Sequence, residues 1–250
     1  MQGFQKVVGH QEIITHLQNA ISMNKVSHAF LFGGESGSGK TMMASLFAIT
    51  LQCEKHGVEP CMECPSCKKA QSQNHPDIIY VKHEKPNTIS IDEIREQLIN
   101  DVMIKPYSSP YKIYIIDEAQ KLTLQAQNAL LKTIEEPPAY AVVMLLADNP
   151  DALLPTISSR CVQLNLKPVG DQLVKDYLMN EMHVPDYQAE VDASLAQGNI
   201  GKAERIARSP EYEETLESAL RMAKYADSMP LYEIVETIKK LTAEKDNIDD

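Results

Sequence analysis

The spacing of hydrophobic and polar positions changes several times along this chain, and each change marks an element. Residues 11–21 (QEIITHLQNAI) place Ile13, Ile14, Leu17, Ala20 and Ile21 at helical spacing, which predicts a first amphipathic helix. The apolar run AFLF at 29–32 predicts a buried strand, and MMASLFAITL at 42–51 a helix. DIIYV (77–81), YKIYIIDE (111–118), AVVMLLAD (141–148) and CVQLNL (161–166) predict four more strands. Helices are expected between them: SIDEIREQLINDVM (90–103), with Ser90 as N-cap and Glu93 completing a capping box, and LTLQAQNALLKTIEE (122–136), stopped by Pro137 and Pro138. Strands alternating with helices predict an α/β fold, with a parallel sheet covered on both faces.

Beyond residue 167 the strand pattern stops. GDQLVKDYLMNEM and GKAERIARS read as amphipathic helices, so a small helical unit is expected over 168–208. Further helical sequence over 209–250 reads as the start of a third unit. A chain of 250 residues has room for one large domain or two modest ones. No apolar run approaches the ~20 residues that span a bilayer, and MQGFQKVVGH lacks the basic-then-apolar layout of a signal peptide. A cytoplasmic location away from membranes is the expectation. The net charge of −11 argues against a protein that coats nucleic acid unaided, while leaving room for contact through one face of an assembly.

Two stretches carry chemistry. GGESGSGKT, after the first strand and before a helix, fits the phosphate-loop pattern through Gly34, Gly39, Lys40 and Thr41. Its glycines let successive N–H groups point inward, and the helix N-terminus adds partial positive charge. Lys40 would meet the β and γ phosphates, and Thr41 would place its hydroxyl on Mg²⁺. A flexible glycine turn is the plainer alternative. Asp117 and Glu118 close the strand IYIIDE; in a phosphate-loop protein such an Asp orders Mg²⁺ and such a Glu polarises water, whereas elsewhere they would be ordinary polar strand ends.

The second stretch is CEKHGVEPCMECPSC, in which Cys53, Cys61, Cys64 and Cys67 are spaced C-x7-C-x2-C-x2-C. Four thiolates close a tetrahedral structural zinc site. An iron–sulfur cluster is the alternative, although the cysteine it would want three residues on is missing. His56 and His75 read as solvated loop residues.

Taken in order, GGESGSGKT, the cysteine insertion at 52–70, IIDEAQKLTLQAQNALLKTIEEPP and LPTISSRC resemble the bacterial clamp-loader AAA+ ATPases of DNA polymerase III, over about residues 4–208. VVGHQEIITHLQNAI and KVSHAFLF fit the same family. Within it the delta-prime type is the preferred reading, and the gamma/tau type is the alternative. The resemblance implies an AAA+ P-loop NTPase domain at 1–167, a helical lid at 168–208 and the start of a collar at 209–250. It implies that Gly34, Glu35, Ser36, Gly37, Ser38, Gly39, Lys40 and Thr41 hold ATP with Mg²⁺, helped by Asp117 and Glu118. Val8, with Val7 and Gly9, would pack on adenine, and Asn149 would sense the γ-phosphate. Arg160 in SSRC would be an arginine finger directed at a neighbouring subunit. The implied partners are gamma/tau and delta subunits, a sliding clamp and primer–template DNA met through the complex. Any polymerase activity would belong to that complex.

One position departs from the family. Gly201 stands where active members present a lid arginine to the phosphates, with Lys202 beside it and Arg205 a turn further on. The substitution implies weak hydrolysis in the chain's own pocket and favours delta-prime, as does a length shorter than gamma and tau. A free-standing phosphotransferase would need substrate-binding arginines of its own, and none stands out.

Overall fold

The computed structural model describes residues 3–209 and Val235, so nearly all of the expected collar lies outside the described residues. Five strands form one sheet: β1 (Ala29–Gly33), β2 (Ile78–Val81), β3 (Lys112–Ile116), β4 (Ala141–Ala147) and β5 (Val162–Asn165). Their order is β2-β3-β4-β1-β5, and every pairing is parallel. β1, β3 and β4 are buried along their whole length, as continuous apolar runs in a two-sided parallel sheet should be.

Alternation along the strands supplies two cores. Phe30 and Phe32 of β1 face one side, with Phe47 and Leu46 of helix α2 (Lys40–Leu51) and Leu17 of helix α1 (Gln11–Ser22). Cys53 and Cys67 belong to that same core. Ala29 and Leu31 face the other side, with Ile94, Leu98 and the residues of helix α5 (Leu124–Glu135). Short helix α3 (Pro65–Gln71) lies in the cysteine insertion, and α6 (Pro155–Ser158) precedes Arg160. Helices α7 (Asp171–Met182), α8 (Asp186–Ala196) and α9 (Ile200–Arg208) build a separate apolar cluster around Val174, Leu178, Ala193 and Ala203.

Two expectations need correction. The helix expected over 90–103 begins as α4 (Ile91–Ile94), with both bonds of the Ser90–Glu93 capping box, but continues as a π turn over Arg95–Ile99. Ile94, Leu98 and Val102 are all buried and recur every fourth residue. The wider i→i+5 turn keeps that four-residue repeat closer to one line than a 3.6-residue helix can. His75 is not a solvated loop residue but is 4% exposed. Its Nε2 lies 3.0 Å from the Ser66 hydroxyl, and its Nδ1 accepts the Asp77 N–H at 3.1 Å. Because Ser66 Oγ donates to the Gln52 carbonyl, the neutral ring protonated on Nε2 fits this network.

Candidate nucleotide and metal sites

The glycine loop leaves the carboxyl end of β1 and turns directly into α2. Gly37 and Gly39 sit at φ 83° and 96°, in the left-handed region where a side chain is strained. Helix α2 has no side-chain cap at its start, so its first amides remain open to an acceptor.

The neighbouring strands bring the acids. β4 lies between β1 and β3, which places residues after β4 beside both the glycine loop and the residues after β3. Thr41 Oγ1 donates to Asp117 Oδ2 at 3.1 Å, bringing together the two groups expected around Mg²⁺. Glu118, at a left-handed φ of 50°, is ion-paired to Lys121 at 2.6 Å, and its Oε2 lies 3.3 Å from His83 Nε2. Lys40 is 6% exposed; its ammonium donates to the Gly34 carbonyl (2.7 Å), the Glu35 carbonyl (2.9 Å) and Asp148 Oδ1 (2.6 Å). Asp148 was not singled out in the sequence. The residue expected in its place, Asn149, instead accepts the Asp151 N–H at 3.1 Å and opens a 3₁₀ turn.

A cleft of about 490 Å³ joins these groups to Val7, Val8 and Tyr177, beneath the start of α9. His10 also lines it, and burial pushes its pKa below 6.5. The helical unit of α7–α9 touches the loop directly. Gly201 N–H donates to the Gly37 carbonyl at 2.9 Å, and Asn199 Nδ2 donates to the Ser36 carbonyl at 2.8 Å. Asn199 Oδ1 meanwhile caps α9 by accepting the Lys202 N–H. Arg160 does not line this cleft. Its guanidinium is 41% exposed and lies 2.9 Å from both the Thr156 carbonyl and the Glu135 carboxylate.

The sulfur atoms of Cys53, Cys61, Cys64 and Cys67 all lie within 4.8 Å of one another. Tetrahedral zinc with ~2.3 Å bonds to sulfur needs separations of roughly 3.8 Å, so the donor set can hold such an ion after small adjustments. Backbone N–H groups already point at sulfur: Cys61 to Cys53, Cys64 to Cys61 and Cys67 to Cys64. The amides of Glu63 and Cys64 draw the Cys61 pKa down to about 6, whereas burial pushes Cys67 up. A divalent cation would resolve that conflict by neutralising all four thiolates together.

A phosphate loop after β1, acids after β3 and β4, and this strand order define an AAA+ P-loop NTPase. The Holliday junction branch migration motor RuvB of Thermotoga maritima shares the fold, with a TM-score of 0.55 at 18% identity over 96% of this chain and 72% of that one. Residues 9–170 match the family described as "DNA polymerase III, delta subunit", and the chain belongs to this clamp-loader AAA+ family. DNA polymerase III subunit tau of Bacillus subtilis is 38% identical over 81% of this chain and 36% of its own length. Subunit delta' of the same organism is 34% identical over 82% of this chain and 61% of its own. The chain thus spans about one third to three fifths of the length of these relatives.

Proposed function

We propose that this chain works as a delta-prime-type subunit of a bacterial clamp loader. It sits beside ATP-hydrolysing gamma/tau subunits and a delta subunit, and together they open a sliding clamp and place it on primer–template DNA. Residues 1–167 form its nucleotide-binding unit, 168–208 its lid and 209–250 the start of its collar. Zinc held by Cys53, Cys61, Cys64 and Cys67 is structural, since four protein ligands leave no open position.

The observation that carries this reading is the placement of Arg160. It is half-exposed two residues beyond α6 and outside the cleft of its own phosphate loop, and its pair with Glu135 is open to solvent, so a phosphate held by a neighbour can exchange for that carboxylate. A planar guanidinium suits the charge of a transferring phosphoryl group. The seating of Gly201 on Gly37 leaves no room for a lid arginine over the chain's own loop, which supports weak hydrolysis there.

A second reading, the gamma/tau motor itself, draws support from the Thr41–Asp117 contact and from the identity to tau. Reconstitution with the remaining subunits separates the two. For delta-prime, Arg160→Ala assembles normally but lowers the ATPase rate of the complex at least tenfold, and the isolated chain hydrolyses ATP negligibly. Brisk turnover by the isolated chain, abolished by Lys40→Ala, selects the motor.

A further inference from the structure

We propose that Asp148 makes this phosphate loop prefer a nucleoside diphosphate to a triphosphate, by occupying Lys40 where a terminal phosphate would be received. The inference rests on reading the glycine loop as a nucleotide site and specifies what that site accepts.

The ammonium of Lys40 has three protons, and three acceptors meet them. Two are the carbonyls of Gly34 and Glu35, which tie the side chain back onto its own loop. The third is Asp148 Oδ1 at 2.6 Å, a full negative charge and the strongest competitor for a phosphate oxygen. Lys40 is 6% exposed and Asp148 43%, so the carboxylate lies on the open side of the pair. A lysine at this place in a phosphate loop serves the β and γ phosphates. A third phosphate must therefore displace a carboxylate and then lie beside it.

The rest of the cleft does not offset that repulsion. Its lysines are Lys6 and Lys40, against the carboxylates of Asp117, Glu118, Asp148 and Glu204. The lid supplies no cation at Gly201: a Cβ there would lie 2.7 Å from Gly37 Cα and 2.8 Å from its carbonyl oxygen, so even alanine collides with backbone. What the lid presents one turn on is Glu204, bonded to the Tyr177 hydroxyl. A diphosphate can rely on the loop amides and the start of α2 and needs Lys40 less. Mg²⁺ at Thr41 and Asp117 would lower the net charge for either ligand but leaves the Asp148–Lys40 contact in place.

The test is calorimetric titration of the full chain with adenosine diphosphate and triphosphate in Mg²⁺, comparing wild type, Asp148→Asn and Lys40→Ala. Wild type is expected to bind the diphosphate at least tenfold more tightly, equivalent to ~1.4 kcal/mol. Asp148→Asn should shrink that ratio at least fivefold, chiefly by strengthening triphosphate binding. A ratio is read because partial unfolding would weaken both ligands alike. A wild-type ratio near one, or a ratio unchanged in Asp148→Asn, overturns the role of Asp148 while leaving the site intact, provided Lys40→Ala weakens both ligands. Failure of every variant to bind either nucleotide removes the nucleotide site itself, and this inference with it.

Discussion

Gly201 rests on Gly37 backbone to backbone: its N–H donates to the Gly37 carbonyl at 2.9 Å, with the two Cα atoms too close for any side chain between them. The contact joins the helical unit to the phosphate loop across 164 positions of sequence. It also lets Asn199 cap α9 with one end of its amide and hold the Ser36 carbonyl with the other. The position of the helical unit and the conformation of the loop are therefore mechanically linked through α9.

That contact reverses an ordinary rule. Gly201 lies within α9, where alanine would normally be favoured by ~1 kcal/mol. Here the added methyl meets unyielding backbone, so Gly201→Ala should destabilise by ~1–3 kcal/mol, as overpacking does. Urea unfolding measures the change, and hydrogen exchange at residue 201 reports whether the lid has lifted. A raised unfolding midpoint would show that the lid does not depend on this approach.

Arg160 makes the opposite kind of prediction, large in function and small in stability. Its pair with Glu135 is about half exposed on both sides, and such pairs contribute ~0–1 kcal/mol. Arg160→Lys should melt within a few degrees of wild type. A lysine keeps the charge but loses the planar fork, so the variant should still lower the ATPase rate of a reconstituted complex at least tenfold. Full activity with lysine would leave only a charge requirement and remove the finger assignment.

Much of this architecture was legible in the sequence because its signals are local. AFLF, KIYII and AVVMLLA are fully buried strands, and a parallel sheet covered on both faces leaves no polar alternation to confuse them. The four cysteines lie within fifteen positions and converge as their spacing implied. What was missed is long-range or depends on packing. Lys40 and Asp148 are 108 positions apart, and an Asp after an apolar strand looks like any polar strand end. Gly201 read as a missing arginine, whereas its contact with Gly37 exists only once α9 is folded over the loop. His75 read as a solvated loop residue, and Asp77 only as the first residue of a strand, because burial of a turn depends on what packs above it. Asp77 is 1% exposed and accepts the N–H groups of Tyr107 and Ser108.

His75 carries a pH prediction. Burial lowers its pKa from 6.5, with the Asp77 carboxylate opposing and Lys69 assisting, and its Nδ1 must stay unprotonated to accept the Asp77 N–H. Below pH 6.5 the unfolded chain takes up a proton that the folded chain resists, so stability is full above that pH and falls as pH drops below it. His10 is shifted in the same direction and adds to the slope. Unfolding free energy measured from pH 7.5 to 5.5 should therefore decline, and His75→Gln should flatten the decline at some cost at neutral pH. An unchanged slope in that variant would assign the effect to the other groups shifted into this window, His10 and the Cys61 thiol.

The cysteine cluster is tied to the main core more closely than a surface knuckle would be. Cys53 and Cys67 are fully buried in the same cluster as Phe30, Phe47 and Leu146, and Ser66 between the cysteines bonds the Gln52 carbonyl. A metal held by these four cysteines would be coupled to packing against the sheet, and its binding free energy would add directly to folding free energy. Zinc content, measured by atomic absorption on protein purified without added metal, should be about one ion per chain and should fall to near zero in Cys67→Ser. Prolonged chelation of wild type should lower the melting temperature by at least ~6 °C, the shift expected for ~3 kcal/mol or less in a domain of this size. Cys61→Ser is the informative companion, because Cys61 is less buried and its loss removes a ligand while leaving the core largely filled. If both variants lose metal but only Cys67→Ser melts early, packing of the buried thiol and not the ion maintains the fold. If both melt early and chelation reproduces the shift, the ion is the structural element.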